Sequence, residues 1–534
     1  MGAYASRLNL SGRQLTDKKD RLLLFATRQQ QDEDVSPALQ ELPHAPHTID
    51  LPWIQAKSIW QRVKSAALGH YQLTVVAYLV ALVFVGSILF AAVEGYPSGK
   101  AVFMATSSVS QAGLSVVDFG MASTGCHAVS LVLMILGSPM LLTLLPVLLR
   151  RSAFRSWKKW CWQHNRSWRS DEEEEVLNAL IFLVLFYWFS CEFLGFLVLC
   201  QVDFSHMNDK PTAWNAFFMV TSSFQNNGLA LAADSLMTLS TKPLPLYTIS
   251  ALVILGNTGA PICLRAIARI AYKLTRAERL RLLLADPRHF YTHIFPPVHS
   301  MWLFLVLCAL LSAQVLTMLA FDWSGPAFLG FDDSTAFANL FLQAASTRTA
   351  GLNSVAVQDL SQPTVYVIMV CMYISTSPVV VTMRSTNVRV RTSNTMRSQM
   401  VNHLTKHGII LVVLHGAILV IEGKHMQTHA IRDAVMCTES TDQAHACGDL
   451  HSFGFFKIMF EIISAYGTVG LSLGSSYQPN SFCAEWAVAS QIILCFAMLL
   501  GRLRDLPLNI DHAFAMHWEH DDNLEDHHVA PIMY

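Results

Sequence analysis

Long apolar windows without any charge constrain this chain more than any other feature. A helix that crosses a bilayer needs about 20 mostly apolar residues, and four longer windows contain no charged side chain. These windows are Tyr71–Val93, Ala128–Leu149, Met301–Phe321 and Pro363–Met383. Only 14% of the residues are charged, whereas soluble domains average roughly 25%. We therefore predict an all-α integral membrane protein in contact with the lipid bilayer.

Four further windows bring the predicted number of transmembrane helices to eight. The windows Leu177–Cys200 and Cys483–Gly501 contain a single acidic residue each. The window His407–Ile421 is short and follows a lysine. We accept that short window because it completes the repeat pattern described next. The four windows are Leu177–Cys200, Pro245–Leu264, His407–Ile421 and Cys483–Gly501.

A short, partly polar segment that ends in Gly-Leu lies between the two members of each pair of windows. The segments are Thr106–Leu114, Thr221–Leu229, Ser346–Leu352 and Ser464–Leu471. The first two also share Thr-Ser-Ser at the same offset. The glycines recur about every 120 residues, and such a regular period indicates an internally repeated architecture. The sequence therefore predicts four helix–pore-loop–helix repeats with pseudo-fourfold symmetry.

The domain limits and the orientation follow from this pattern. We expect a pore domain over 71–505 whose repeats cover 71–149, 177–272, 298–384 and 404–502, between an N-terminal region, 1–70, and a C-terminal tail, 506–534. Lys and Arg concentrate between the repeats, at 150–169, 265–288 and 384–397. Because cytoplasmic loops carry the excess of Lys and Arg, these connections and both termini are expected on the cytoplasmic side.

The four Gly-Leu segments have the composition of an ion filter. Non-helical backbone persists at membrane depth only where protein buries it or a water-filled cavity borders it. Rings of backbone carbonyls can replace the water around a cation, and glycine adopts the positive φ that turns a carbonyl inward. The alternative is that small residues merely ease helix contacts. The candidate filter for K+ comprises Gly113, Gly228, Gly351 and Gly470, preceded by Ala112, Asn227, Ala350 and Val469.

With these motifs in place, residues 71 to 512 resemble the Trk/Ktr/HKT superfamily of potassium transporters, and most closely its fungal Trk-type members. Supporting matches are Leu255–Pro261, Met372–Ser375 and Ser464–Gly474. The resemblance implies K+ uptake across the plasma membrane through a pore folded from one chain, usually within a homodimer. In plant relatives a serine at the first filter position goes with Na+ preference. Because this chain has Gly113 there, the resemblance favours K+.

Three further features are candidates for a barrier, a gate and a coupling site. Arg502 follows the last window and matches a family position near the permeation path, although it could be an ordinary anchor at a helix end. The family places a gate where Ser375, Thr376, Ser377 and Pro378 break a helix, and a passive kink is the alternative. Glu192, an acid within a span, could couple transport to another ion or could serve packing.

The predicted function is K+ uptake driven by the membrane potential. K+ symport with H+ or Na+, and Na+-permeable transport, remain alternatives. A membrane receptor or an intramembrane hydrolase is the alternative from a different class, but the sequence contains no His-Glu-x-x-His motif, so we do not expect an enzyme or a cofactor. The 37 basic and 38 acidic residues argue against nucleic acid as a partner.

Overall fold

The computed structural model describes most of the predicted pore domain. The described residues are 71–163, 171–204, 210–232, 234–374, 376–386, 396–439, 454–474 and 480–504. Across these ranges the chain forms helices and loops without a β-strand. The expected N-terminal region, 1–70, and the tail, 506–534, lie outside the described residues.

The same order of elements recurs four times along the chain: a long helix, a short helix, a non-helical segment and a further helix that is broken in three cases. The first half contains α1 (Tyr71–Glu94), α2 (Ser98–Ser110), α3 (Thr124–Leu136), α4 (Pro139–Gln163), α5 (Asp171–Leu199), α6 (Thr212–Gln225), α7 (Pro243–Gly256) and α8 (Ala260–Thr275). The second half contains α9 (Glu278–Ala285), α10 (Pro287–Phe290), α11 (Pro297–Phe321), α12 (Asp333–Ser346), α13 (Gln362–Ile374), α14 (Ser377–Ser385), α15 (Met396–Glu439), α16 (Phe455–Gly467) and α17 (Val488–Arg504).

The helices are those of a multi-pass membrane protein. Among the described residues, five helices are long and apolar enough to cross a membrane, and up to seven if each of two bent pairs counts as one span. The predicted window Cys483–Gly501 is helical only from Val488, and α17 has 17 residues. A helix of that length covers about 25 Å, slightly less than the roughly 30 Å hydrocarbon core. The number eight therefore stays a prediction.

Two of the predicted windows are not straight helices. α3 and α4 meet at 52° within Ala128–Leu149, and α7 and α8 meet at 82° within Pro245–Leu264. Gly137 lies at the first break, and Asn257–Gly259 at the second. Apolar composition alone did not reveal these bends, because the interrupting residues are themselves uncharged.

The short predicted span His407–Ile421 is wrong in its limits. It is the middle of α15, a helix of 44 residues whose membrane-compatible part runs from Ser398 to Thr428. No glycine or proline occurs between Met396 and Lys406, so nothing in the backbone ends the helix where the polar residues begin. Likewise, α4 continues beyond residue 149 and α5 begins before residue 177, so both helices are longer than the apolar windows that predicted them.

The short helices lie inside the protein, and the long helices surround them. Large apolar side chains of the long helices are exposed, for example Phe84 at 66% and Phe182 at 71%, which is the surface that lipid would cover. The short helices instead bury polar side chains, including Thr106, Ser107 and Ser108 of α2. Buried polar groups need hydrogen-bond partners. Thr106 donates to the Val102 carbonyl within α2, Ser108 is hydrogen-bonded to Ser130 of α3, and Ser107 donates to the Leu114 carbonyl after the helix.

Candidate functional site

Each short helix contains the first part of a Gly-Leu segment and ends inside it, three to five residues before the candidate filter glycine. In α2, α6 and α16 the residue after the helix has left-handed backbone angles: Gln111, Asn226 and Thr468. The reversal points the following residues away from the helix axis. α12 ends differently, with Thr347 in right-handed geometry and Gly351 four residues later.

A serine in each of the first two short helices fixes the non-helical end of its own Gly-Leu segment. The Ser107 hydroxyl donates to the Leu114 carbonyl at 2.7 Å, and the Ser222 hydroxyl donates to the Leu229 carbonyl at 2.7 Å. In the fourth segment the Ser464 hydroxyl accepts from the Gly470 amide at 3.1 Å. These anchors were not among the predicted site residues. Their signal was the Thr-Ser-Ser that recurs at a constant distance before Gly-Leu.

The four candidate filter glycines share one backbone feature and one environment. Their φ angles are 70°, 85°, 65° and 94° in chain order, a region that costs other L-residues roughly 1–2 kcal/mol. At each glycine, an added Cβ would collide with the carbonyl oxygen of the residue that precedes another filter glycine. The pairs are Gly113 with Asn227, Gly228 with Ala350, Gly351 with Val469, and Gly470 with Ala112.

These contacts form a closed cycle. The glycine of the first segment faces a carbonyl of the second segment, the second glycine faces the third segment, and the third glycine faces the fourth segment. The glycine of the fourth segment faces a carbonyl of the first segment. The structure thus brings all eight predicted filter residues together at one place. A closed cycle of four segments encloses a common axis.

A cavity of about 330 Å³ opens on one side of this cycle, and all four glycines line it. Of the acids that follow the first three segments, Asp234 lines the cavity, Asp359 is exposed and Asp118 is half-buried. Partial burial raises the pKa of the Asp234 carboxyl above its usual value of 3.8, although backbone hydrogen bonds oppose the rise. Asp234 is therefore the acid best placed to attract cations to the glycines.

The helix that follows each segment packs closely on the short helix. A Cβ on Gly137 would collide with the Val109 carbonyl oxygen, and one on Gly256 with that of Phe224. Gly501 has the same relation to Tyr466. In all three pairs the carbonyl belongs to the fourth residue before a filter glycine. The third repeat has Ser375 in the matching motif, and this residue lies outside the described ranges.

A second, smaller cavity of about 50 Å³ contains part of the predicted barrier and gate. Arg502, Thr376 and Asn257 all line it, and Arg502 is buried and donates to the Gly137 carbonyl oxygen. Ser377 and Pro378 are buried at the start of α14, a position where proline does not interrupt helical hydrogen bonds. The predicted helix break is thus present between α13 and α14, and Thr376, at this break, lines the cavity.

Arg504 connects this break to the fourth segment and was not predicted from the sequence. Its guanidinium donates to the Thr376 hydroxyl at 3.2 Å and to the Gly467 carbonyl at 3.4 Å. It also lies over the Tyr466 ring, 5.1 Å from the centroid. An arginine shortly after a span would normally be interpreted as a cytoplasmic anchor, and this is why its role escaped the sequence reasoning.

A hydrogen-bonded chain of side chains joins the fourth short helix to α14 and α15. Tyr466 is hydrogen-bonded through its hydroxyl to His407, and His407 Nε2 lies 3.1 Å from His403 Nδ1. Arg384, near the end of α14, lies 3.2 Å from the same His403 nitrogen. Together with Arg504, this chain ties both ends of α14 to the fourth segment.

Glu192, the predicted coupling candidate, contacts the second short helix. Its Oε1 accepts from Trp188 Nε1 at 2.8 Å and from Gln225 Nε2 at 3.0 Å. Gln225 is the last residue of α6 and lies three residues before Gly228. The Glu192 side chain thus contacts the end of a short helix, and its role as a coupling site stays a prediction.

Comparison with known families supports this interpretation. Residues 140–523 match the model of the TrkH family, described as cation transport protein. This range contains three of the four Gly-Leu segments and begins after the first. A family match over well more than half of the chain establishes membership.

Several fungal proteins resemble the chain. The potassium transporter TRK1 of Candida albicans is 30% identical over 343 residues, covering 59% of this chain and 31% of the relative. The low-affinity potassium transport protein of Saccharomyces cerevisiae is 28% identical over 402 residues, covering 66% and 45%. Potassium transport protein 1 of Schizosaccharomyces pombe is 30% identical over 335 residues, covering 60% and 38%. The chain thus matches less than half the length of each relative.

A solved structure has the same fold. The potassium transporter TrkH from Vibrio parahaemolyticus aligns with a TM-score of 0.51 and 13% identity, over 87% of this chain and 86% of the other. The relatives named above are transporters rather than enzymes, and the resemblance to the Trk superfamily and its fungal members is confirmed. This chain belongs to the TrkH family of cation transport proteins.

Proposed function

We propose that this chain takes up K+ across the plasma membrane through a filter of backbone carbonyls from its four Gly-Leu segments. The closed cycle in which each filter glycine faces the carbonyl of another segment carries this proposal. Such a cycle presents carbonyl oxygens of several segments around one axis, and carbonyl rings can substitute for the water shell of a cation. The names of the fungal relatives supply the ion, K+.

The path has three parts under this proposal. Cations collect in the cavity beside Asp234, lose water at the glycine cycle and enter the small cavity lined by Thr376 and Arg502. Arg502 contributes a positive barrier there, and the break before α14 serves as the gate. The driving force is the membrane potential, about 2.3 kcal/mol per charge per 100 mV.

The wider architecture belongs to the same proposal. It comprises eight spans in four pseudo-fourfold repeats over 71–505, cytoplasmic termini and assembly as a homodimer with one pore per chain. The recurring order of elements supports the repeats, and the basic connections between them support the orientation. Glu192 acts as a brace for the end of α6 in this scheme.

Uptake of 86Rb+ by cells that lack their own K+ import tests the proposal. Expression of the wild-type chain should restore 86Rb+ uptake. Gly113→Ser and Gly470→Ser should each reduce the preference for K+ over Na+ by about tenfold or more, because a tenfold change in selectivity needs a difference of only about 1.4 kcal/mol. Gly416→Ser is the matched control, because Gly416 has open space around it. Uptake that both filter substitutions leave unchanged would reject the filter.

A further inference from the structure

The bend after α7 gives α8 an unusual direction. α7 and α8 meet at 82°. With α7 placed along the membrane normal, as the eight-span arrangement of the proposed function requires, α8 runs nearly parallel to the membrane plane. The first turn of α8 lines the small cavity through Ala260, Pro261 and Leu264. α8 therefore leads from the conduction path to the protein surface at the level where spans end.

The two faces of α8 differ. Leu264, Arg265 and Ala268 are buried against the protein, whereas Ile270 is 56% exposed and Leu274 is 79% exposed. These two large apolar side chains are four residues apart and adjoin on the helix surface. An in-plane helix with such an outer face is typical of elements that insert into the interfacial region of a bilayer.

The segment formed by α8, the following turn and α9 is strongly basic. Five exposed residues of α8, α9 and the turn between them carry positive charge, and we call them the basic elbow: Arg269, Lys273, Arg276, Arg279 and Arg281. Glu278 is the one acid between residues 260 and 285, and it pairs with Arg281 at 2.5 Å. Four exposed cationic side chains of the segment that also contains Ile270 and Leu274 therefore remain without a compensating acid in this segment.

We infer that the basic elbow binds the phosphate headgroups of anionic lipids in the cytoplasmic leaflet. Clustered Lys and Arg beside the membrane attract anionic lipids by about 1 kcal/mol, or roughly fivefold, per residue. The apolar pair favours a lipid over a soluble anion, because Ile270 and Leu274 would contact acyl chains next to the bound headgroups. The assignment to the cytoplasmic leaflet rests on the orientation given in the proposed function. Binding of anionic lipid by the basic elbow does not itself require ion transport.

Native mass spectrometry of the purified full-length chain can measure this binding directly. The protein is titrated with a phosphatidylserine and with a phosphatidylcholine of the same acyl chains. The variant Lys273→Gln/Arg279→Gln removes two charges of the basic elbow, and Lys100→Gln/Lys424→Gln removes two exposed charges elsewhere. A third arm adds soluble glycerophosphoserine as competitor, and a fourth uses Ile270→Ser/Leu274→Ser.

We expect wild-type and control protein to prefer phosphatidylserine, and the basic-elbow variant, which lacks two charges, to lose roughly 25-fold of this affinity. The apolar variant should weaken lipid binding, and glycerophosphoserine should compete poorly. Equal binding of both lipids by the wild type, or equal loss in the control, would overturn the inference. Efficient competition by glycerophosphoserine would show a soluble-anion site instead. None of the four arms measures transport. The lipid-binding results would therefore still test this inference even if the chain were found not to take up K+.

Discussion

The carbonyl oxygen of Asn227 occupies the space in which Gly113 would carry a Cβ. These residues belong to different Gly-Leu segments, 114 positions apart in the chain, and their contact is one link of the four-part cycle. Any side chain at Gly113 must displace this carbonyl and also adopt a disfavoured φ of 70°. The geometry of one segment is therefore coupled to the residue type in another.

Removing the Ser222 hydroxyl should weaken the second segment. Ser222→Ala leaves the Leu229 carbonyl without its 2.7 Å hydrogen bond, and an unsatisfied buried acceptor costs about 1–3 kcal/mol. We expect a lower thermal midpoint in detergent and a smaller K+ over Na+ preference in Rb+ uptake competition. Ser250→Ala is the control, because the Ser250 hydroxyl donates within helix α7. Equal effects of both substitutions on selectivity would contradict the anchoring role.

Glu192 should tolerate replacement by glutamine. Both of its hydrogen bonds end on Oε1, and an amide oxygen at that position can accept them. Glu192→Gln should keep Rb+ uptake within about twofold and keep its dependence on external pH. Glu192→Leu loses two buried hydrogen bonds at about 1 kcal/mol each, so it should lower uptake by up to roughly thirtyfold. A Glu192→Gln variant without pH dependence would instead indicate that the carboxylate carries a coupled proton.

Asp234 should make uptake sensitive to external acid. Burial raises its pKa, so as the pH falls its negative charge is lost at less acidic pH than that of an ordinary aspartate. At limiting K+, Asp234→Asn should lower Rb+ uptake at neutral pH by roughly two- to fivefold and flatten the decline on acidification. Asp359→Asn, at an exposed position outside the cavity lining, should match the wild type. An unchanged acid profile in Asp234→Asn would contradict the assignment.

Arg502 should slow conduction through its charge. Arg502→Gln keeps a donor that can reach the Gly137 carbonyl but removes the positive charge from the small cavity. We expect maximal Rb+ uptake to rise roughly fivefold, which corresponds to about 1 kcal/mol of barrier, whereas Arg502→Lys should remain close to wild type. If both variants lose uptake together with thermal stability, Arg502 is a structural brace.

The sequence was most informative where a pattern repeats. Gly113, Gly228, Gly351 and Gly470 were found from a common Gly-Leu signature, and the structure brings them together. Their recurrence follows from a local requirement, positive φ beside a neighbouring carbonyl, that only glycine meets cheaply. The Ser107 and Ser222 anchors were visible in the same repeat, but a hydroxyl motif alone does not identify its acceptor.

The sequence was less informative where long-range packing decides. The 82° bend after α7 follows Gly256, whose Cα faces the Phe224 carbonyl of another helix. The apolar composition of the predicted window does not encode the direction of such a bend. In the sequence, Arg504 resembles an ordinary positive anchor at the end of a span. Its contacts with Thr376, more than 100 residues away, and with Gly467, more than 30 residues away, are visible only in the structure. The extent of α15 was also missed, because hydropathy detects the membrane-compatible part of a helix and not its polar ends.

Anomalous scattering from Rb+ in an experimental structure of the protein tests the central claim most directly. Rb+ substitutes for K+, so its signal should lie on the axis enclosed by the cycle, beside the carbonyls of Ala112, Asn227, Ala350 and Val469, and should be lost or displaced in Gly113→Ser. Rb+ signal away from this axis in the wild type, or the same signal in wild type and Gly113→Ser, would contradict a carbonyl filter built from the four Gly-Leu segments.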